Sequence, residues 1–229
     1  MTKWKFFKQG VLEELPLQVG VFPFGVIYGI MAIESGLTPL QAFLMSSIIF
    51  GGASQIVFLQ LFSSASSIGT IVASIGAVNS RHFLYSASMI EFLGNLSLKW
   101  RIILGYLLTD EAYAVSIRKF MNEPPNRFLH FHLLGTGITL FLSWQISTLT
   151  GVLLGGGLPQ FLNLQFIIPL TFIAIIIPMV KSFSTLLVVL GSGISALIFK
   201  NLQMDFWIIL SACVGIMLGI VTSKFDIKS

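Results

Sequence analysis

The chain has 229 residues, 55% of them hydrophobic and 10% charged, with a mean hydropathy of +0.91 and a formal net charge of +4. A soluble domain carries about 25% charged residues to cover its surface, so this composition excludes an ordinary water-soluble enzyme and indicates an integral membrane protein. The basic residues flank apolar runs instead of forming one patch, which argues against a nucleic-acid partner, and the single cysteine, Cys213, excludes an internal disulfide.

A spanning helix needs roughly 20 apolar residues. Lys3, Lys5 and Lys8 precede the first candidate, at about 15–34, much as in a signal peptide. Its length, with Glu13, Glu14, Pro16 and Pro23, predicts a retained helix instead. Segment two covers 39–62 and segment three 68–93. Segment four, about 100–114, has only about ten clean apolar residues before Asp110 and Glu111. Segments five to eight occupy 129–154, 164–180, 183–199 and 205–222. Gly36, Pro39, Gly94, Pro124, Pro125, Gly155 to Gly157 and Pro159 mark the short connections.

The expected fold is an all-α polytopic membrane protein, one domain over 1–229, with seven or eight transmembrane segments and interrupted helices. Eight crossings put the amino terminus, Arg118, Lys119, Arg127, Lys181, Lys224 and Lys228 on the cytoplasmic side, and Lys99, Arg101 and Lys200 on the other. A re-entrant segment four leaves seven crossings and inverts segments five to eight. Gly36-Leu37-Thr38-Pro39 weakly echoes Gly157-Leu158-Pro159, which leaves an internal repeat open.

Several groups break the apolar pattern. Pro16, Pro23, Gly25 and Gly29 punctuate segment one, and Pro169 and Pro178 segment six, where kinking is the plain reading. In segment two, "FGGASQ" (Phe50–Gln55) strips side chains from one patch. Close helix packing explains this, and so does an unwound stretch whose backbone meets a ligand. Gln55 favours the second, because its amide has no reason to face lipid.

In segment three, "AVNSRHFLYS" (77–86) sets Arg81 and His82 deep in an apolar run. An arginine at the bilayer centre costs about 2.5–3.5 kcal/mol on insertion scales. Asn79 and Ser80 prefer caps and turns, so a helix broken there would face an internal cavity. Arg81, Tyr85 and Ser88 then share one helix face. The alternative is a loop between two shorter helices, with Arg81 snorkelling. In "TDEAYA" (109–114), Asp110 and Glu111 read either as an interfacial pair or as a proton or amine site that offers Arg81 or His82 a counter-charge. Glu34, Glu91, His130 and His132 read as interfacial. No spacing suits a metal or a phosphate loop, and no cofactor is expected.

"GGASQ", "NSRHFLYSA" and "TDEAYA", in this order and spacing, resemble the AzlC family, the large subunit of branched-chain amino acid exporters conferring azaleucine resistance. The resemblance covers roughly residues 10–222. Gly51 stands where alanine is commoner, Ile56 where phenylalanine is usual, and Asn79 where some members carry aspartate. The last departure weakens any scheme that needs a carboxylate there. The resemblance implies a permease subunit in the bacterial inner (plasma) membrane. It would move leucine, isoleucine, valine or related apolar amino acids out of the cell by proton-coupled alternating access. It would work with a small AzlD-type membrane subunit.

The expected substrate site comprises Gly51, Gly52, Ala53, Ser54, Gln55, Asn79, Arg81, His82 and Tyr85. Asp110, Glu111 and His82 are the expected proton-coupling groups. Arg81 and helix N–H groups suit a substrate carboxylate, a carboxylate suits its ammonium, and the small residues at 51–54 leave room for an apolar side chain. Two rival readings are an intramembrane enzyme using His82 and Asp110 as acid and base, and a non-transporting membrane scaffold.

Overall fold

The computed structural model describes residues 2–124, 126–155, 180 and 182–226. All elements among the described residues are helical. The chain packs as two compact units, one of residues 1–59 and 78–158, the other of residues 60–77 and 159–229. Segment six, with Pro169 and Pro178, and the Gly157-Leu158-Pro159 half of the repeat lie outside the described residues.

In the first unit, α1 (Lys3–Glu14) runs through one 3-10 turn, Leu15–Leu17, into α2 (Gln18–Glu34). Pro16 sits in that turn, where its missing N–H would interrupt an α-helical ladder. The apolar pattern begins near residue 15, but the helix begins at Lys3. The extension is held because Phe6, Gly10 and Glu14, at four-residue spacing, turn inward on one face.

This rod packs lengthwise, in parallel, on α9 (His130–Gly155). Glycines line the seam. A Cβ on Gly10 would strike the His132 carbonyl, one on Gly135 the Phe7 carbonyl, and one on Gly151 the Val26 carbonyl. Gly25 meets Ser147, and Gly29 meets Thr148 and Gly151. Gly25 and Gly29 therefore serve close helix approach, the usual device where lipid supplies no hydrophobic drive between helices. Pro23 is carried inside α2 without a break.

Two helical hairpins enter this frame from opposite ends. α3 (Pro39–Ile49) begins with Pro39 at its first position and a capping box between Thr38 and Gln41. Phe50 then takes a left-handed conformation (φ 40°, ψ 54°), and α4 (Gly52–Ser63) starts two residues later. Along α3, Ala42 receives the Tyr28 hydroxyl, Ser46 meets Thr148 and Ser47 meets Gln145. Phe50 reaches Phe141, so α3 runs back toward the start of α9. α4 reverses: Gly52 lies against Phe24, and Gln55 comes beside Tyr28, one turn further along α2.

The second hairpin is α7 (Leu98–Tyr106) and α8 (Asp110–Asn122). Trp100 packs on His130 and Phe131 at the start of α9, and Tyr106 reaches Phe141 further along it. α8 returns: Leu107 contacts Gly137, and Ser116 bonds His132. Predicted segment four is thus a helix, a turn and the start of a second helix. Eight crossings place Lys99 and Arg101 at the end opposite Arg127; the packing of Trp100 brings them to the same end. The reason is length. At 1.5 Å per residue, α7 is about 14 Å long, half of a hydrocarbon core of about 30 Å.

Helices α5 (Ile68–Asn79) and α6 (Arg81–Leu93) meet at Ser80, whose backbone remains right-handed helical (φ −56°, ψ −27°). Segment three is interrupted there in its hydrogen bonding but is not unwound. Met89 and Leu93 of α6 join Phe6, Leu104, Leu108, Ala112, Phe120, Leu129 and Leu133 in one apolar core.

The second unit contains an antiparallel pair, α10 (Phe183–Asn201) and α11 (Trp207–Asp226). Ser184 donates to the Thr222 carbonyl at 2.8 Å, and Gly191 lets Leu218 approach. Three helices among the described residues are long and apolar enough to cross a membrane: Lys3–Glu34, His130–Gly155 and Phe183–Asn201. Pro39–Ile49, Gly52–Ser63 and Trp207–Thr222 are shorter apolar helices.

Candidate functional site

Three chain interruptions of the first unit converge. Hairpin tip meets hairpin tip: the Tyr106 hydroxyl donates to the Ser47 carbonyl, and the Phe50 and Tyr106 rings lie 5.8 Å apart. The Phe50–Gly51 break adjoins the α5–α6 junction, since a Cβ on Gly51 would sit 3.6 Å from Asn79 Oδ1. The junction in turn meets the second tip through Arg81 Nη1 and Asp110 Oδ2, 2.8 Å apart.

The α6–α8 face is a ladder of polar rungs. Both oxygens of Asp110 are held, one by Arg81 and the other by the Tyr85 hydroxyl at 2.7 Å. Tyr85 stacks on Tyr113 with centroids 4.5 Å apart, and the Ser88 hydroxyl meets Tyr113 Oη at 2.9 Å. The four- and three-residue spacings on α6 match the three-residue spacing on α8, so successive side chains meet across the seam. Asp110 and Glu111 occupy the first turn of α8, where the helix dipole favours negative charge. Arg81 and Asp110 keep 34% and 37% of their side-chain surface exposed. His82 stands off the ladder, its ring 5.9 Å from that of Tyr85.

Around the convergence, polar atoms are buried with no hydrogen-bond partner among the described residues. They are both amide atoms of Gln55, Asn79 Oδ1, Arg81 Nε, Thr109 Oγ1 and Trp144 Nε1. Gln55 is fully buried. Each buried polar group left unsatisfied costs about 1–3 kcal/mol, so a concentration of them sets this place apart from the apolar packing around it. Trp144 carries no sequence signal, because a tryptophan within an apolar helix reads as core.

The expectation of free space at 51–54 is corrected at two positions. A Cβ on Gly52 would lie 2.7 Å from Trp144 and 2.8 Å from Phe24, so aromatic rings fill that space. Ser54 turns its hydroxyl back onto the Gly51 carbonyl at 2.7 Å. Ala53 is half-buried on the same helix.

A second buried polar group also departs from expectation. His132 reads as interfacial in the sequence, yet its side chain is fully buried. Nε2 lies 3.0 Å from Glu13 Oε2, and Nδ1 lies 3.3 Å from the Ser116 hydroxyl, which continues to Thr136 at 3.2 Å. His130 is likewise buried, edge-on to Trp100. Glu14, one residue from Glu13, is completely buried. Its place on the inward face of α1, four residues after Gly10 and eight after Phe6, is the available signal. At the end where the chain begins, Lys119 pairs with Glu123 at 2.7 Å and holds that carboxyl below its ordinary range.

A family model described as AzlC protein matches residues 16–158, which contain both hairpins and the junction. An uncharacterized membrane protein of Archaeoglobus fulgidus is 30% identical over 224 residues, 96% of each chain. Inner membrane protein YgaZ of Escherichia coli is 28% identical over 155 residues, 67% of this chain and 63% of its own length. An uncharacterized membrane protein of Helicobacter pylori is 31% identical over 112 residues, 48% of each chain. No solved structure matches. With the family model spanning more than half its length, and three of these relatives named as membrane proteins, this chain belongs to the AzlC family of membrane proteins.

Proposed function

We propose that the protein is the large permease subunit of an amino acid exporter in the bacterial plasma membrane, working with a small AzlD-type subunit. One observation carries this reading: the Arg81–Asp110 ion pair closes a convergence of helix ends that also holds unpartnered buried polar atoms. A zwitterion brings a carboxylate and an ammonium. It can open the pair and satisfy both charges, with Arg81 taking the carboxylate and Asp110 the ammonium. Little is lost, because each charge exchanges one charged partner for another. The N-termini of α4 and α8 point the same way, since their dipoles favour an anion. Leucine, isoleucine or valine would set its side chain among Phe50, Tyr106 and Phe141.

The end placement of the hairpins supports two re-entrant hairpins in the first unit, in place of crossings by segments two and four. In the first unit the α1–α2 rod and α9 are the helices long enough to cross. The α3–α4 hairpin enters from outside and α7–α8 from the cytoplasm. Lys3, Lys5, Lys8, Lys99, Arg101, Arg118, Lys119 and Arg127 of the first unit then fall together on the cytoplasmic side. This is a stronger positive-inside bias than the eight-crossing arrangement gives.

The test is counterflow of labelled leucine in liposomes containing the chain and its small partner. Exchange that depends on both subunits is expected. Its absence from a folded, partner-containing preparation, with valine and methionine also tried, would remove the reading.

A further inference from the structure

Glu14 is the most deeply buried carboxylate among the described residues, with no exposed surface. One oxygen, Oε1, accepts from the Gln18 amide at 3.0 Å. The other, Oε2, is buried with no partner, and so is Gln18 Oε1. Two acceptors on adjacent turns thus share a site where the described residues offer them no donor. No cation among the described residues is paired with Glu14. The α8 charge that acts on it through space is another carboxylate, Glu111, the neighbour of Asp110. From α9, His132 is committed to the adjacent Glu13. A proton on Oε2 would turn one of these two acceptors into a donor.

A hollow of about 520 Å³ opens between α1 and α8, lined by Gln9, Glu13, Leu17, Arg118, Lys119 and Glu123. Glu13 therefore faces the hollow on one side and His132 on the other, and Glu14 is its neighbour in sequence. In the other direction, Glu111 leads to Asp110, Arg81 and Tyr85.

We propose that Glu14, opposed by Glu111, is the proton-binding site that couples the α1–α8 hollow to the substrate site. This rests on the transport reading. A proton from water in the hollow forms an O–H bond at Glu14 Oε2, and the neutral acid then donates to an acceptor such as Gln18 Oε1. Loss of the proton restores the carboxylate pair. Opening of Arg81–Asp110 by substrate changes the charge next to Glu111, and this is the physical link between proton and amino acid.

The test separates proton binding from transport. Infrared difference spectra between high and low pH, on purified protein in lipid, report the carbonyl stretch of a protonated, buried carboxylic acid. The wild type should show a titrating band that is lost in Glu14→Gln, retained in Glu14→Asp and moved in titration midpoint in Glu111→Gln. In liposomes, Glu14→Gln should keep leucine exchange but lose pH-driven accumulation. A band missing from the wild type, or one that persists in Glu14→Gln, overturns the proposal. If the band behaves as expected but the wild type exchanges no amino acid, the transport reading fails and the proton site stands. Glu14→Asp guards against misfolding: equal loss of the band in both variants would also count against the proposal.

Discussion

Arg81 holds Asp110 through one terminal nitrogen and leaves Nε buried without a partner among the described residues. Lysine offers a single ammonium in place of this planar fork. Arg81→Lys should keep the charge and weaken substrate binding by about 1.5–3 kcal/mol, the value of a hydrogen bond to a charged group. That is about a ten- to hundredfold rise in the leucine concentration giving half-maximal counterflow, and an unchanged concentration at normal expression would take Arg81 out of the site. At this scale the sequence is informative where a residue contradicts its surroundings. Arg81, Asp110 and Gln55 stand out because charge and amide are costly among apolar neighbours, and all three lie at the convergence. His132 and Glu14 are obscured by position. Both sit near the polar end of an apolar run, where a titratable group normally meets water, and only the close packing of α1 on α9 buries them.

At the scale of elements, glycine separates packing from conformational freedom. Gly10 and Gly20 lie in the same rod, but a Cβ on Gly10 would strike the His132 carbonyl and one on Gly20 would meet nothing. Gly10→Ala should therefore cost about 1–3 kcal/mol through a forced backbone shift. Gly20→Ala should be neutral or stabilise by about 0.5–1 kcal/mol through helix propensity. Thermal unfolding of the two variants in detergent checks this, and equal midpoints would mean that the α1–α9 seam is looser than these contacts require. Helix existence is readable from apolar runs, and the breaks at Phe50 and Ser80 from the small and polar residues near them. The reversal of direction at Phe50 is not readable. A left-handed residue is usually glycine or asparagine, and here a phenylalanine takes it beside Gly51, held by Phe141 and Tyr106.

For the molecule as a whole, hydropathy counts apolar runs but does not distinguish a run that crosses from one that turns back. Segment two is long enough to span, yet α3 and α4 are each about 17–18 Å long and fold on themselves. Distances to α9 settle the direction of each arm in the first unit, and so predict which residues share a side. In a Cys213→Ser background, single cysteines at Gln9, Lys99 and Asn122 should all react with an impermeant thiol reagent from the cytoplasmic side. A cysteine at Glu34, at the far end of α2, should react only from the other side. Eight crossings, or seven with a re-entrant fourth segment, put Lys99 with Glu34. Labelling at Lys99 therefore decides between them: reaction from the Glu34 side would require segment two to cross and would dissolve the meeting of hairpin tips on which the substrate site depends. Reaction from the Gln9 side leaves Asp110 at the inner end of a hairpin about half a membrane deep. At that depth the carboxylate is held by Arg81 and Tyr85, the geometry on which the proposed zwitterion site rests.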